Sequence, residues 1–146
     1  MTRVQELYPD NKVILREVGL RFASLPIRNA GTMGGNVANG SPIGDSAPVL
    51  LALDAAVVLR RGDRTRRVPL HEFYLDYMKN RLEPGEFLQA IEVPRAPQGA
   101  EVRSYKISKR FDCDISAIAT GLWLELDGDT VREVRLAYGG MAAIVK

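Results

Sequence analysis

The chain has 146 residues, 46% hydrophobic and 26% charged, with a formal net charge of +2 at pH 7, which suits one domain or a small domain with part of another. It contains no apolar run of about 18 residues, no signal-peptide pattern and no basic cluster, so we expect a cytoplasmic protein that binds neither membranes nor nucleic acid. A single cysteine, Cys113, and a single histidine, His71, exclude an internal disulfide and predict no zinc or iron–sulfur site in this chain.

The first predicted element is an amphipathic helix over residues 10–24, in which apolar side chains recur at broadly helical spacing. Asp10 or Asn11 would cap its start. Residues 25–27, with the sequence Leu-Pro-Ile, are predicted to end this helix, because the residue before a proline disfavours the α region.

Residues 27–48, IRNAGTMGGNVANGSPIGDSAP, form what we call the glycine-rich segment. It has almost no long apolar side chains, so it cannot build a packed core. Glycine reaches positive φ without penalty, so the segment predicts a tightly turned backbone whose N–H groups point outward. Such a turn can cradle a phosphate or pyrophosphate. The alternative is a purely structural turn between helices, since a lone Gly-Gly-Asn is weak evidence.

A second, buried helix is predicted over residues 46–53, where an apolar run follows the glycine-rich segment. Asp45 stands at its N-cap position and Pro48 lies near its first turn. Asp45 is therefore predicted to cap this helix.

The middle of the chain predicts a hairpin of residues 55–61 and 65–69, because Gly62-Asp63-Arg64 between them is a turn signal. Residues 70–82 then predict a short helix, and residues 86–93 a strand. Three apolar side chains of that helix are expected to point inward: Phe73, Leu75 and Met78. A polar break over residues 95–100 combines prolines, glycine and charge, and we expect a domain boundary there.

Three further strands are predicted over residues 101–109, 115–126 and 130–138. The middle strand alternates well, and both of its faces look covered. On the last strand, Val134, Leu136 and Tyr138 are expected to face inward. The chain stops within an apolar stretch soon afterwards, so we expect it to be a fragment of a longer polypeptide.

From about Leu20 to Lys146 the sequence resembles the flavin-binding part of the molybdenum-containing hydroxylases. Four passages in the family's order and spacing carry the resemblance: IRNAGTMGGNVANGSPIGDSAPVLLALDA, FLQAIEVPR, SYKISKRFDCDISAIATG and VREVRLAYGGM. The pairing of NGSPIGDS with KISKRFDCDIS resembles the xanthine dehydrogenase branch more than the carbon monoxide dehydrogenase branch.

The resemblance implies an α+β fold with FAD as the cofactor. Residues 1–98 would be the second subdomain of a PCMH-type FAD-binding domain, and residues 101–146 the first strands of a CO dehydrogenase flavoprotein C-terminal-like domain. In that family a second pyrophosphate loop lies in a first subdomain, which this chain lacks. We therefore expect FAD to be bound in the whole enzyme and to occupy this chain by itself only incompletely.

The resemblance also implies roles for eight residues. Five would contact the pyrophosphate region: Thr32, Gly34, Gly35, Asn36 and Asn39. Asp45 would bind ribitol or brace the loop, Leu88 would pack on the flavin or adenine, and Lys106 would sit near the isoalloxazine edge. From the residues alone, Lys106 is a surface lysine of a strand, and residues 110–114 form a solvated loop with local ion pairs.

The implied function is electron relay during purine hydroxylation in purine catabolism, from a molybdenum subunit through iron–sulfur centres to FAD and then to NAD. No catalytic residue or metal ligand is expected in this chain, and we expect the fragment alone to be inactive. Two alternatives stay open. The chain could be a truncated, cofactor-free piece that acts only as an assembly surface, or the flavin segment of a related molybdenum hydroxylase acting on carbon monoxide, aldehydes or N-heterocycles.

Overall fold

The computed structural model describes residues 15–146, and the predicted helix start at residues 10–14 lies outside the described residues. Within this range a π-helical segment, Leu15–Leu20, comes first. Four α-helices follow: α1 (Leu25–Ala30), α2 (Met33–Asn39), α3 (Ser46–Ala52) and α4 (Leu70–Phe73). The strands are β1 (Ala56–Arg61), β2 (Arg64–Pro69), β3 (Tyr74–Asp76), β4 (Lys79–Asn80), β5 (Phe87–Glu92), β6 (Glu101–Ser108), β7 (Ser116–Asp127) and β8 (Thr130–Gly139).

The helix predicted over residues 10–24 is shorter in its described part, because helical structure ends at Leu20. The prediction that residues 25–27 only end a helix is wrong, since α1 begins at Leu25. Pro26 lies in the first turn of α1, where a backbone N–H would have no helical partner in any case. The proline therefore starts a helix here.

The glycine-rich segment is more helical than its composition predicts. Residues 33–39 form α2, so the predicted continuous turn is wrong over that range. Thr32 caps the helix because its Oγ1 accepts a hydrogen bond from the Gly35 amide at 2.9 Å. Gly40 ends it at φ +65°, a left-handed conformation that glycine adopts without the cost borne by a side chain.

The buried helix predicted over residues 46–53 is confirmed as α3, which ends one residue earlier. Asp45 stands at the N-cap position, but its side chain makes no capping hydrogen bond, so that part of the prediction is wrong. The physical reason is competition from stronger partners: the Asp45 carboxylate binds Lys106 and Ser116 instead.

The first sheet has the strand order β2-β1-β5, and both strand pairs are antiparallel. It confirms the predicted hairpin around Gly62 and the predicted strand near residues 86–93. The helix predicted over residues 70–82 is wrong beyond Phe73, because β3 and β4 form a small hairpin there. Phe73 is fully buried as expected, whereas Leu75 and Met78 are 55% and 45% exposed.

The second sheet, β6-β7-β8, is antiparallel and matches the three predicted strands. Its inner face packs on α3 and carries small side chains as well as Trp123. A Cβ built on Gly121 would lie 2.2 Å from the Pro48 carbonyl oxygen, so the helix backbone approaches the strand directly. The opposite face is partly covered: Ile118, Leu122 and Leu124 of β7 are half-buried there, so the prediction that both faces of β7 are covered is confirmed only in part. The prediction that Val134, Leu136 and Tyr138 face inward is wrong, because Ala137 and Gly139 are the buried residues of β8.

Two buried clusters hold these elements together. The first joins the first sheet to α2, α3 and α4 around Val57, Leu59 and Phe73. The second packs Val49 and Leu53 of α3 against Val102 and Trp123 of the second sheet. Helix α3 therefore contributes to both clusters, and the predicted α+β fold class is confirmed. Within residues 15–146, no helix is long and apolar enough to cross a membrane.

Candidate functional site

A cleft of about 470 Å³ opens between the glycine-rich segment and the ends of β6 and β7. Its walls come from four parts of the chain that are distant in sequence: residues 22–27, 36–45, Lys106 and 113–116. Four of the eight residues that the sequence singles out line it: Asn36, Asn39, Asp45 and Lys106. The fold thus brings polar groups from α2, the start of α3 and β6 to one concave surface.

The inner wall of the cleft carries an ion pair. Lys106 Nζ donates to Asp45 Oδ2 at 2.6 Å, and the Lys106 and Asp45 side chains are only 4% and 10% exposed. The expectation of a surface lysine at position 106 is therefore wrong, because this side chain points to the inner face of the sheet. The Ser116 hydroxyl donates to the other carboxylate oxygen, Asp45 Oδ1, at 2.5 Å. A carboxylate and an ammonium in this setting suit a ligand with hydroxyl groups.

The side chains of Asn36 and Asn39 differ in their hydrogen bonding. Asn36 is held through its Oδ1, which accepts a hydrogen bond from the Ser46 hydroxyl. The Asn39 side chain is exposed and has no hydrogen-bond partner within residues 15–146, so its amide can turn to a ligand.

The end of α2 beside Asn39 is fixed by two groups from the β3–β4 hairpin. Tyr74 donates its hydroxyl to the Val37 carbonyl at 3.1 Å, and the Asn80 amide donates to the Ala38 carbonyl at 2.6 Å. Burial raises the pKa of the Tyr74 phenol, so the hydroxyl keeps its proton as a donor. These contacts hold α2 in place beside the cleft.

The other four predicted residues lie outside the lining of the cleft: Thr32, Gly34 and Gly35 at the first turn of α2, and Leu88 in the neighbouring strand β5. A Cβ on Gly34 would lie 3.3 Å from Leu88 Cδ2, so β5 packs against this turn. A Cβ on Gly35 would lie 3.0 Å from Thr32 Oγ1. Glycine at both positions keeps the backbone accessible and preserves the Thr32 cap.

The first turn of α2 offers backbone donors. The first four N–H groups of a helix have no partner within it. Here the Gly35 amide donates to Thr32 Oγ1 and the Asn36 amide to the Thr32 carbonyl. Among the described residues, the amides of Met33 and Gly34 have no such acceptor; Met33 is exposed and Gly34 is half-buried. These two backbone donors suit an anionic group.

Arg21 is a residue that sequence reasoning missed. Its guanidinium donates to the Lys106 carbonyl at 2.7 Å, to Ser108 Oγ at 3.2 Å and to the Phe111 carbonyl at 3.2 Å. It also lies over the Phe111 ring, 4.6 Å from its centroid. No local signal distinguishes Arg21 from the chain's other arginines, because its partners are 85 to 90 residues away in the sequence.

The loop over residues 110–114 contains the predicted local ion pair. Arg110 Nη2 lies 3.1 Å from Asp114 Oδ1, and the Arg110 amide donates to Asp114 Oδ2 at 2.8 Å. That amide, together with the guanidinium, lowers the pKa of Asp114 below its usual value. Asp114 and the exposed Cys113 line the cleft rim. The part of the chain that the structure describes contains no cluster of three or more potential metal ligands.

Two family models together match almost the whole chain. Residues 1–96 match the FAD binding domain in molybdopterin dehydrogenase, and residues 103–146 match the CO dehydrogenase flavoprotein C-terminal domain. The interval between the two matches falls at the polar break where the sequence predicts a domain boundary.

Similar proteins are much longer than this chain. A xanthine dehydrogenase from Emericella nidulans is 35% identical over 125 residues, which are 84% of this chain and 9% of that protein. The nicotinate hydroxylase hnxS from the same organism is 36% identical over 126 residues, 83% of this chain and again 9% of the relative. A chain of the Cu,Mo-CO dehydrogenase in its cyanide-inactivated form superimposes with a TM-score of 0.84 at 30% identity, covering 91% of this chain and 46% of that one.

Proposed function

Because the chain belongs to the family of FAD-binding domains of molybdopterin dehydrogenases, we propose that it is the segment that holds FAD in a xanthine dehydrogenase. FAD is the cofactor of this family, and the family's enzymes are oxidoreductases. The chain spans 9% of the length of the relatives it matches, so the activity belongs to a longer enzyme.

The observation that carries the proposal is the accessible first turn of α2 next to the polar cleft. FAD combines an anionic pyrophosphate with a hydroxyl-rich ribitol chain, so it needs both kinds of surface. The free amides of Met33 and Gly34, with no side chain at Gly34 or Gly35, fit the pyrophosphate. The side chains of Asp45 and Lys106 can form hydrogen bonds with the ribitol hydroxyl groups, and Leu88 beside Gly34 offers an apolar contact to the cofactor. The residues present therefore fit the cofactor.

Bound FAD supplies a ring system that accepts electrons and passes them on, and the protein's task is to hold and tune it. In the proposed site Thr32 keeps the first turn of α2 in shape, and Asn36 and Asn39 add side-chain amides beside it. An ammonium near the ring would favour its negatively charged reduced form and raise its reduction potential. The carboxylate of Asp45 lies 2.6 Å from Lys106 Nζ and offsets much of that positive charge. The reduction potential of the flavin therefore depends on the positions of both charged groups.

In the complete enzyme we propose that electrons from purine hydroxylation at molybdenum pass through iron–sulfur centres to the flavin and then to NAD. The iron–sulfur segments and the molybdopterin-binding subunit are the proposed partners. The 35% identity to a xanthine dehydrogenase supports the purine substrate. The similarity to a nicotinate hydroxylase supports the alternative of a related molybdenum hydroxylase that acts on another substrate.

One observation favours a second candidate, an assembly surface without cofactor. The open face of the second sheet exposes large apolar side chains, more than half exposed at Ile107, Leu126, Val134 and Leu136. Exposed apolar patches of this kind mark contacts with other protein surfaces. This face lies on the side of the sheet opposite to α3 and is compatible with flavin binding on the other side.

The experiment that separates the two candidates is flavin uptake by the purified chain. The chain is incubated with FAD, passed through gel filtration and examined by visible absorption. The flavin proposal predicts a flavin band that is displaced by ADP in excess but not by riboflavin, because the pyrophosphate contacts lie at α2. A folded chain that remains colourless with added FAD would overturn the flavin proposal for this segment.

A further inference from the structure

Ser116, the first residue of β7, supplies one of the two donors that hold the cleft carboxylate. Its hydroxyl donates to Asp45 Oδ1 at 2.5 Å, while Lys106 Nζ donates to Asp45 Oδ2 at 2.6 Å. Ser116 is only 3% exposed, and all three side chains line the cleft. Each oxygen of the carboxylate is therefore held by a different residue of the second sheet.

Two separate donors define the orientation of the carboxylate. A single donor would leave the group free to rotate about its terminal bond, whereas one donor on each oxygen fixes the plane. Hydrogen bonds to a charged group in a poorly solvated place are among the stronger ones. The Asp45 carboxylate in turn accepts from Lys106, so its orientation also sets where the Lys106 ammonium lies.

We propose that Ser116 is a positioning residue of the cofactor cleft: its hydroxyl fixes the Asp45 carboxylate and, through it, the Lys106 ammonium in the orientation that receives the ligand. The inference deepens the proposed function and rests on it, because FAD is the ligand that the pair would meet. Ser116 acts through Asp45 and does not need to touch FAD.

The three residues also join the two segments that the family models match separately. Asp45 lies in the segment of residues 1–96, whereas Lys106 and Ser116 lie in the segment of residues 103–146. The cleft is therefore complete only when the second sheet is docked on the start of α3. Ser116 and Lys106 together make this docking specific, since an unpaired Asp45 carboxylate at 10% exposure would be costly.

The chain offers a matched control for Ser116. Ser104 is a second buried serine, on the neighbouring strand of the same sheet, and is 2% exposed. Its hydroxyl donates to the Thr120 carbonyl at 2.8 Å and has no contact with the cleft. Ser104→Ala removes a buried hydroxyl of the same kind without affecting the Asp45 carboxylate.

The first test uses the chain without FAD. Proton–nitrogen correlation spectra selective for lysine ammonium groups detect an ammonium that is buried and held by hydrogen bonds, and Lys106→Arg assigns its signal. We expect a Lys106 signal in the native chain and in Ser104→Ala, and its loss by fast exchange in Ser116→Ala. Ser116→Thr, which keeps the hydroxyl, should retain the signal.

The second test measures FAD affinity for the same proteins. Ser116→Ala should raise the Kd of FAD about tenfold, which corresponds to roughly 1.4 kcal/mol, while Ser116→Thr and Ser104→Ala keep the native value. An unchanged Lys106 signal and an unchanged Kd in Ser116→Ala would overturn the positioning role. If the native chain takes up no FAD, the proposed function fails, and the Lys106 signal alone decides the role of Ser116.

A second pair of variants keeps the test valid if Ser116→Ala does not fold. Ser116→Thr and Ser116→Val have nearly the same shape and differ by the hydroxyl. The threonine variant should show the Lys106 signal and the valine variant should lack it. Identical behaviour of the two would show that the hydroxyl is not what holds Asp45.

Discussion

At the scale of single residues, the carboxylates of Asp45, Glu86 and Asp114 each accept hydrogen bonds from more than one donor. Glu86 accepts from Arg66 Nε at 2.7 Å, from Arg66 Nη2 at 2.6 Å and from the Glu83 amide at 2.8 Å. The Arg66 hydrogen bonds, followed by that of the Glu83 amide, lower the pKa of Glu86 to about 2. This pair ties β2 to the turn before β5, away from the cleft.

Glu86 predicts a specific dependence of stability on pH. Its folded-state pKa lies below the usual 4.5, so its contribution to the free energy of unfolding is fully present above about pH 4.5 and is lost as pH falls towards about 2. Glu86→Gln should be less stable than the native chain at neutral pH, with the difference shrinking through this window. Chemical denaturation at several pH values measures it.

Glu72→Gln serves as the control for that experiment. Glu72 is 53% exposed, and its ion-pair contact is His71 at 3.7 Å. Exposed pairs of this kind contribute little to stability. Equal pH profiles for Glu86→Gln and the native chain would contradict the assigned role of the Arg66 pair.

At the scale of elements, α2 shows which structural features amino-acid composition can predict and which it cannot. The glycines, Thr32 and the asparagines predict an anion-binding segment, and its amide donors are present at the start of a helix rather than along a turn. Composition could not decide between the two, because Gly35 is unfavourable inside a helix by propensity alone. The Thr32 cap and the packing of α2 on β5 and α3 outweigh that cost.

Replacing Gly35 tests the part that α2 plays. A Cβ at this position would lie 3.0 Å from Thr32 Oγ1, so Gly35→Val should displace the cap and fill the surface where the pyrophosphate is proposed to bind. In the complete enzyme we expect loss of flavin while the iron–sulfur signals persist. Flavin content and electron paramagnetic resonance of the same sample measure both.

Gly19→Val is the matched control, since a Cβ at Gly19 meets no atom within 4 Å. It should retain the native flavin content. Normal flavin occupancy in Gly35→Val would show that the first turn of α2 is not close to the pyrophosphate.

At the scale of the whole molecule, α3 is the element shared by the two sheets. Its residues enter both buried clusters, and at Gly121 its backbone lies directly on β7. The Asp45–Lys106 pair adds a buried polar contact across the same junction. The segments matched by the two family models are therefore packed on each other.

This packing predicts a single cooperative unfolding transition. Trp123 is the only tryptophan of the chain and lies in the cluster between α3 and the second sheet. Its fluorescence and the far-ultraviolet circular dichroism of the whole chain should change at the same denaturant concentration. Gly121→Val should shift that midpoint strongly downward, because its Cβ would collide with the Pro48 carbonyl. Two separated transitions in the native chain would contradict the shared core.

From the sequence by itself, the resemblance of four passages determined the family and with it the α+β class. Alternation and turn residues predicted most strands, because these are local signals. The resemblance also predicted a cofactor-binding role for eight residues, four of which line the cleft: Asn36, Asn39, Asp45 and Lys106. Only the tertiary structure decided which face of the second sheet is buried, since both faces of β7 are apolar and the small residues Ala119 and Gly121 admit α3. It also gave Asp45 its partners, Lys106 and Ser116, which lie 61 and 71 residues away. Local sequence patterns cannot predict contacts between residues so far apart in the chain. Packing of α3 on the second sheet brings Lys106 and Ser116 within hydrogen-bonding distance of Asp45.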